Sequence, residues 1–451
     1  MRLTGKGFSP FDIRGIYPDD VNEEVAYRVG RSLVKLFHVE RAAIGRDVRL
    51  SSPELLKYAI KGMQDAGADV MDIGMCGTEM IYFAVAHYKL DGGIMITASH
   101  NPKEYNGMKL VQRGARPISN DSGLRDIRHE VLFGRFKPTG YSSRRISHMD
   151  IMEDYVNHLL TYVDVNKLRP YKVVLNAGNG SAGPVVDALS KYLPFDIVKI
   201  NNEPDGSFPN GVPNPLLVEN REATVEAVLR EGADFGVAWD GDFDRCFLVD
   251  ERGEFIDGYY MVGLLAKSFL EKEPGAAIIY DPRCIWNTEE ICREYSGRAV
   301  MSKSGHAFIK ERMRAEDAVY GGEMSAHHYF RDFSYCDSGM IPWLLVSELM
   351  STDGRPLSEM VGSMRRSYPI SGEVNSKVKD VDAVLRRVEE KYQAMGAVID
   401  HTDGVSAAFD KWRFNLRKSN TEPVIRLNVE TRGDRRLMEE KRDELLKEIR
   451  R

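Results

Sequence analysis

Residues 41–99 decide the fold class: RAAIGR (41–46), SPELLKYAIKGMQDAG (52–67), ADVMDIG (68–74), TEMIYFAVAHY (78–88) and GGIMITAS (92–99). Short apolar runs alternate with amphipathic segments of helical length. That rhythm predicts strand, helix, strand, helix, strand, and so a mostly parallel α/β sheet. It returns from YKVVLNAG (171–178) through FDIVKIN and REATVEAVLREG to ADFGVAW (233–239). It returns again from GYYMVGLLAKSFLEK (258–272) through AAIIYD, RAVMSK and SGHAFIKERMRAE to DAVYGG (317–322). Three recurrences predict three similar α/β mixed-sheet domains. After about residue 365 the pattern changes. DVDAVLRRVEEKYQAMG (380–396) and the closing DRRLMEEKRDELLKEIRR read as helices around the two strand-like runs of RFNLRKSNTEPVIRLNVE (413–430). A smaller α+β domain is expected there. The expected domains are 1–145, 146–252, 253–365 and 366–451, with RPLSEMVGSMRRSYP (355–369) and SGEVNSK (371–377) as boundary candidates.

A chain of 451 residues suits three or four domains of roughly 150 residues each. Lys plus Arg is 62 against 68 for Asp plus Glu, a net charge of −6. That balance gives no electrostatic reason to expect nucleic acid or an anionic membrane as partner, though a local basic pocket for a small anion stays compatible with it. No window approaches the ~18 apolar residues of a membrane span, and MRLTGKGFSP carries no apolar leader, so a cytoplasmic protein is expected. Cys76, Cys246, Cys284, Cys292 and Cys336 are odd in number and lack C-x-x-C spacing, which predicts free thiols in a reducing compartment.

Six segments bear on chemistry. Thr97-Ala98-Ser99-His100-Asn101-Pro102 follows the strand GGIMI, at the carboxyl end where open α/β sheets gather ligands, although a polar turn ended by Pro102 would read the same way. Asp240-Gly241-Asp242-Phe243-Asp244-Arg245 follows ADFGVAW and sets carboxylates at i, i+2 and i+4, enough to converge on one hard divalent cation. An EF-hand is excluded, because Arg245 stands at the glycine position and a strand precedes the loop. Gly322-Glu323-Met324-Ser325-Ala326-His327-His328 is a hydroxyl-reading set suited to a polyol, and Lys303-Ser304-Gly305-His306 places Lys and His at an expected helix N-terminus, a natural anion site. Arg417-Lys418-Ser419-Asn420-Thr421-Glu422-Pro423 reads as a polar turn that is either a phosphate cradle or a solvated hairpin loop. Finally, Gly178-Asn179-Gly180-Ser181-Ala182-Gly183, with Glu203 further on, has the spacing of a dinucleotide fingerprint. The same glycines also serve a plain strand-to-helix turn, so NAD binding by an oxidoreductase is the weaker reading.

Taken together and in order, these motifs resemble the α-D-phosphohexomutase superfamily. TASHNP is similar to its phosphoserine loop, DGDFDR to its metal loop, GEMSAHH to its sugar-binding loop and RKSNTEP to its phosphate-binding loop. Phe11-Asp12-Ile13-Arg14-Gly15 and Asn106-Gly107-Met108-Lys109 match further family motifs, and the resemblance covers essentially the whole chain. GEMS is closer to the phosphomannomutase/phosphoglucomutase group than to phosphoglucosamine mutases, which typically show glutamine at the position of Met324. Arg283 stands where several relatives carry lysine.

The resemblance implies four domains around a central cleft. The implied activity is an isomerase that interconverts mannose 6-phosphate and mannose 1-phosphate for nucleotide-sugar synthesis, also accepting glucose phosphates. Phosphorylated Ser99 would give its phosphoryl group to the sugar and recover one from a hexose 1,6-bisphosphate, which also serves as primer. Mg²⁺ would be held by Asp240, Asp242, Asp244 and an oxygen on Ser99. Arg14, His100, Lys109 and Arg245 would surround the transferring group, with Lys109 or His327 as general base. Arg283, Lys303, His306, Glu323, Ser325, His327, Arg417, Ser419, Asn420 and Thr421 would bind substrate. The resemblance also implies that the glycine-rich segment lies away from the catalytic groups. A glucose or glucosamine phosphate mutase, and a silent sugar-phosphate-binding paralogue, remain the alternatives. Neither the preferred sugar nor the oligomeric state is legible.

Overall fold

The computed structural model describes residues 3–136, 144–419 and 424–451. Two compact units emerge: one runs to Phe255 and includes Asp332–Thr352, the other comprises Ile256–Arg331 and Asp353–Arg451.

The first unit holds two sheets. In the larger, the order is Ile13–Ile16, Tyr105–Gln112, Gly92–Ile96, Arg41–Arg46, Asp69–Met75, Ile146–His148. Its last four strands are mutually parallel, and the first two are antiparallel to their neighbours. Helices Ser52–Ala66 and Thr78–His87 supply the crossovers expected from residues 41–99, and a first helix, Glu23–Phe37, precedes them. The apolar stripe Val25, Val29 and Leu33 of the first helix is buried against Leu55, Ala59 and Met63 of the second, at the 3–4 residue spacing of one helix face. The second sheet runs Cys246–Asp250, Phe235–Trp239, Lys172–Asn176, Asp196–Ile200, parallel except for the antiparallel hairpin of its first two strands.

The second unit repeats the theme with Arg298–Met301, Ala277–Tyr280 and Tyr320–Gly322 in parallel and His328–Phe330 antiparallel to the last. Its other sheet is wholly antiparallel, in the order Val374–Lys377, Val424–Thr431, Trp412–Lys418, Val405–Ala408, Val398–Asp400. Helices Val381–Ala394 and Arg435–Ile449 cover it, burying Val388, Tyr392, Leu445 and Ile449 with Phe414 and Leu427. These are the α/β and α+β classes expected.

Residue 365 falls inside the helix Leu357–Ser367, so the chain leaves that element only after Ser367. Asp332–Thr352 groups with the first unit. There the buried Glu79 carboxylate accepts from Ser338 Oγ and from the backbone N–H groups of Gly339 and Met340, and Trp239 Nε1 donates to Gly339 O. A carboxylate from a distant helix thus caps the start of Ile341–Asp353, a contact with no local sequence signal. All five cysteines are buried and free. Among the described residues no helix is long and apolar enough to cross a membrane.

Candidate active site

In the first unit, Ser99 and the aspartate loop meet because both follow the carboxyl ends of strands, Gly92–Ile96 and Phe235–Trp239. Residues 240–245 form the turn between the paired residues Trp239 and Cys246, so three aspartates are folded into one short loop. Gly241 lets that loop approach: a Cβ there would lie 2.5 Å from Ser99 O. Ser99 itself sits at φ +50°, an uncommon conformation for a non-glycine residue and one that clusters at functional sites.

Ser99 Oγ donates to Asp240 Oδ2 at 2.8 Å and lies 3.0 Å from His100 Nδ1. Arg245 grips the same Asp240 oxygen through Nε at 2.9 Å and a terminal nitrogen at 2.7 Å, and also contacts His100 Nδ1. Burial, with Arg245 and Arg14 beside it, holds the His100 imidazole well below its ordinary pKa, so it is neutral at pH 7. Arg14 donates to Asn101 Oδ1 at 2.7 Å and pairs with Asp12. Lys109 donates to Asp242 at 2.7 Å and to Asp244 at 2.5 Å. Burial alone would lower the pKa of its ammonium, but the two carboxylates override that and keep it protonated. Burial would likewise raise the Asp242 carboxyl. Lys109, Thr78 and Arg14 reverse this and hold it below the usual carboxylate range.

Asp240, Asp242 and Asp244 are buried, with ligand oxygens within 4.8 Å of one another. The Oδ1 atoms of Asp240 and Asp242 are buried without a hydrogen-bond partner among the described residues. Orphaned anionic oxygens in a cluster of three carboxylates fit a hard divalent cation such as Mg²⁺.

Two features here escaped the sequence reading. Thr78, at the start of the helix Thr78–His87, donates through N to Asp242 O and through Oγ1 to Asp242 Oδ2, anchoring the loop. The glycine-rich segment, expected to lie apart, stands directly behind the aspartate loop: Ser181 N donates to Gly241 O at 3.1 Å, and a Cβ on Gly180 would sit 2.9 Å from that oxygen. Its glycines serve the turn and this close approach, with Gly178 and Asn179 at φ +60° and +57°.

The second unit holds the remaining predicted residues. Arg283 is buried and forks onto Asp281 through Nε at 2.9 Å and a terminal nitrogen at 2.7 Å, with Ser325 Oγ at 3.4 Å. Glu323 is buried and accepts from Gly305 N and Tyr329 OH. Gly305 N, just before the helix starting at His306, thus has the Glu323 carboxylate as its acceptor. Lys303 is exposed beside the Phe308 ring, and His327 is half-buried against Tyr329. Arg417, expected in a turn, instead belongs to the strand Trp412–Lys418 and is buried. It pairs with Glu373 at 2.9 Å. Arg426 pairs with the same Glu373 at 3.0 Å and donates to Ser419 Oγ. Glu373 stood in a segment read as linker, and Arg426 in an ordinary strand, so neither carried a signal of its role. Asn420 and Thr421 lie outside the described residues.

Comparison with known proteins gives matches along the whole chain. Phosphoglucomutase/phosphomannomutase alpha/beta/alpha domains I, II and III match residues 5–132, 153–253 and 257–368, and the C-terminal domain of the same family matches 373–448. The phosphomannomutase of Salmonella montevideo is 56% identical over 446 residues, covering 97% of this chain and 98% of that protein. That of Escherichia coli strain K12 is 55% identical over 446 residues, with the same coverage. A Xanthomonas campestris protein named phosphohexose mutases is 53% identical over 443 residues, covering 98% of this chain and 99% of its own. Among solved structures, a phosphoglucomutase/phosphomannomutase family protein from Burkholderia thailandensis superposes with a TM-score of 0.88 at 31% identity, over 99% of this chain and 98% of that one.

Proposed function

Since this chain belongs to the phosphoglucomutase/phosphomannomutase family, we propose that it is a phosphomannomutase that works through a phosphorylated Ser99 and a hexose 1,6-bisphosphate. The observation that carries this reading is Ser99 Oγ against Asp240 beside a cluster of three buried carboxylates, ringed by Arg14, His100, Lys109 and Arg245. Glucose phosphates are proposed as secondary substrates, and supply of mannose 1-phosphate for GDP-mannose synthesis as the metabolic role.

In the proposed reaction the bond between phosphorus and Ser99 Oγ breaks as a bond to a sugar hydroxyl oxygen forms. The hydroxyl proton passes to a base, and the bisphosphate so made returns its other phosphoryl group to Ser99. Asp240, Asp242 and Asp244 would hold Mg²⁺ with an oxygen of phosphorylated Ser99. Bound there, the ion supplies charge stabilisation for the transferring group. Arg245, fixed by Asp240, and Arg14, fixed by Asp12 and Asn101, present guanidinium groups to the same charge at no cost in reorganisation. Lys109, held by Asp242 and Asp244, adds a third cation, and Lys109 or His327 takes the hydroxyl proton as general base. Glu323 and Ser325 read sugar hydroxyls. Arg283, Lys303, His306, Arg417, Ser419, Asn420 and Thr421 bind the rest of the substrate, including the phosphate that is not reacting, whose binding energy orients the reacting end.

The test is turnover of mannose, glucose and glucosamine 1-phosphates in the presence of Mg²⁺ and a hexose 1,6-bisphosphate primer, with intact-mass measurement of the enzyme. Mannose 1-phosphate should give the highest kcat/KM, and one phosphate on Ser99 should be chased off by substrate. Turnover by an enzyme that takes up no phosphate on Ser99 even from the primer would refute the mechanism, and a preference for glucosamine phosphate the assignment of substrate.

A further inference from the structure

Arg49 has no part in the chemistry just described, yet it is 1% exposed and lies directly behind the serine loop. One of its terminal nitrogens donates to Pro102 O at 2.7 Å and Tyr105 O at 2.9 Å. The other donates to Ser99 O at 2.8 Å and Asn101 O at 2.6 Å. Four carbonyls of one loop thus converge on a single guanidinium. The remaining nitrogen, Nε, lies 3.2 Å from Asp47 Oδ2, and the other Asp47 oxygen accepts from Arg49 N and Ser52 Oγ. Phe208, itself buried, lies with its ring 5.4 Å from the guanidinium carbon. The fork is therefore held by Asp47 and packed by Phe208 while both donor ends serve the loop.

This arrangement does more than fill space. Within a trans peptide C=O and N–H point in opposite directions, so a Ser99 carbonyl drawn towards Arg49 turns the His100 N–H away from it. The same pull opposes relaxation of Ser99 from its φ of +50°, a conformation that persists only where the surroundings over-determine it. We propose that Arg49 is a positioning residue for phosphoryl transfer, fixing the loop from Ser99 to Tyr105 in the geometry that presents the Ser99 hydroxyl. The proposal rests on the reading of Ser99 as the phosphoryl carrier.

Arg49→Lys keeps the charge but replaces a planar fork with a compact head that cannot span four carbonyls. The variant should lower kcat by about a hundredfold, the scale of a misplacement near 1 Å, while KM for the hexose 1-phosphate stays within about threefold. The rate at which hexose 1,6-bisphosphate phosphorylates Ser99, read by intact mass, should fall in parallel. The rise in melting temperature with Mg²⁺ should persist, because the aspartate loop is untouched. A folded Arg49→Lys protein with wild-type kcat and phosphorylation rate overturns the proposal. So does one in which only KM rises. Should the lysine variant not fold, Asp47→Asn loosens the hold on Nε and should give a smaller fall in kcat at unchanged KM, and wild-type kcat there overturns the proposal. If neither variant folds, the pair serves folding alone and the proposal is likewise overturned. Wild-type enzyme assayed alongside separates the two ideas: if it never carries phosphate on Ser99, the mutase mechanism has failed rather than the role of Arg49.

Discussion

Replacing Asp242 by asparagine should abolish turnover and leave the metal-free fold almost as stable as before. Asp242 attracts Lys109 across 2.7 Å and repels Asp240 and Asp244 across no more than 4.8 Å. At an effective dielectric near 20 the attraction across 2.7 Å is ~6 kcal/mol and each repulsion across 4.8 Å at least ~3.5 kcal/mol, so these terms nearly cancel, and the further attraction of Arg14 leaves a modest net loss. Asparagine keeps an acceptor for Thr78, and Lys109 is not stranded, because Asp244 still holds it at 2.5 Å. The net change in chelator should therefore be within ~2 kcal/mol, well short of the ~3–5 kcal/mol typical when a buried charge loses its only partner. The Mg²⁺ response is the sharper measure. Wild-type enzyme at a hundredfold excess over Kd gains ~2.7 kcal/mol and melts several degrees higher, and the variant should gain little. The assay is thermal melting of both proteins in chelator and in Mg²⁺, beside kcat for mannose 1-phosphate. An Asp242→Asn protein that keeps the wild-type Mg²⁺ increment and its turnover would refute the metal assignment. One that unfolds in chelator would refute the charge accounting.

The other expectations are briefer. Ser99→Ala should remove most turnover and the phosphate seen by intact mass, while its melting temperature stays within a few degrees of wild type. Arg417→Ala should lower kcat/KM roughly ten- to hundredfold, the worth of a charge-assisted contact of about 1.5–3 kcal/mol. Because Arg417 is buried and paired with Glu373, the variant should also melt lower, which a solvated turn residue would not do. Glu79 is pushed up to about 8 by burial, so its contribution to stability is complete below its ordinary value near 4.5 and is lost as pH rises towards 8. Melting temperature should therefore fall between pH 5 and 8 with a steeper slope in wild type than in Glu79→Gln, and equal slopes would contradict the assigned environment. Excess chelator should abolish turnover reversibly, with recovery on addition of Mg²⁺.

The sequence by itself determined the elements and the chemistry-bearing loops. Alternation of short apolar runs with helix-length amphipathic segments depends only on near neighbours, so the strands around 41–46, 92–96 and 235–239 and the helices between them were legible. DGDFDR announced a carboxylate cluster, because three carboxylates within five residues must end up close together whatever the rest of the chain does. Only the tertiary structure decided what those loops lean on. Arg49 is 50 residues from Ser99, Thr78 is 164 from Asp242, and Glu79 is 260 from Gly339, so no local pattern couples them. The same limit hides other partners. Arg417 reads as part of a polar turn until strand pairing with Arg426 buries it, and nothing local announces that Gly305 N, before the helix starting at His306, donates to Glu323, 18 residues on. Periodicity records which face of an element is apolar. Which distant side chain satisfies a buried charge or a helix end is settled only when the sheets assemble, because desolvation penalises every polar group left unpaired there.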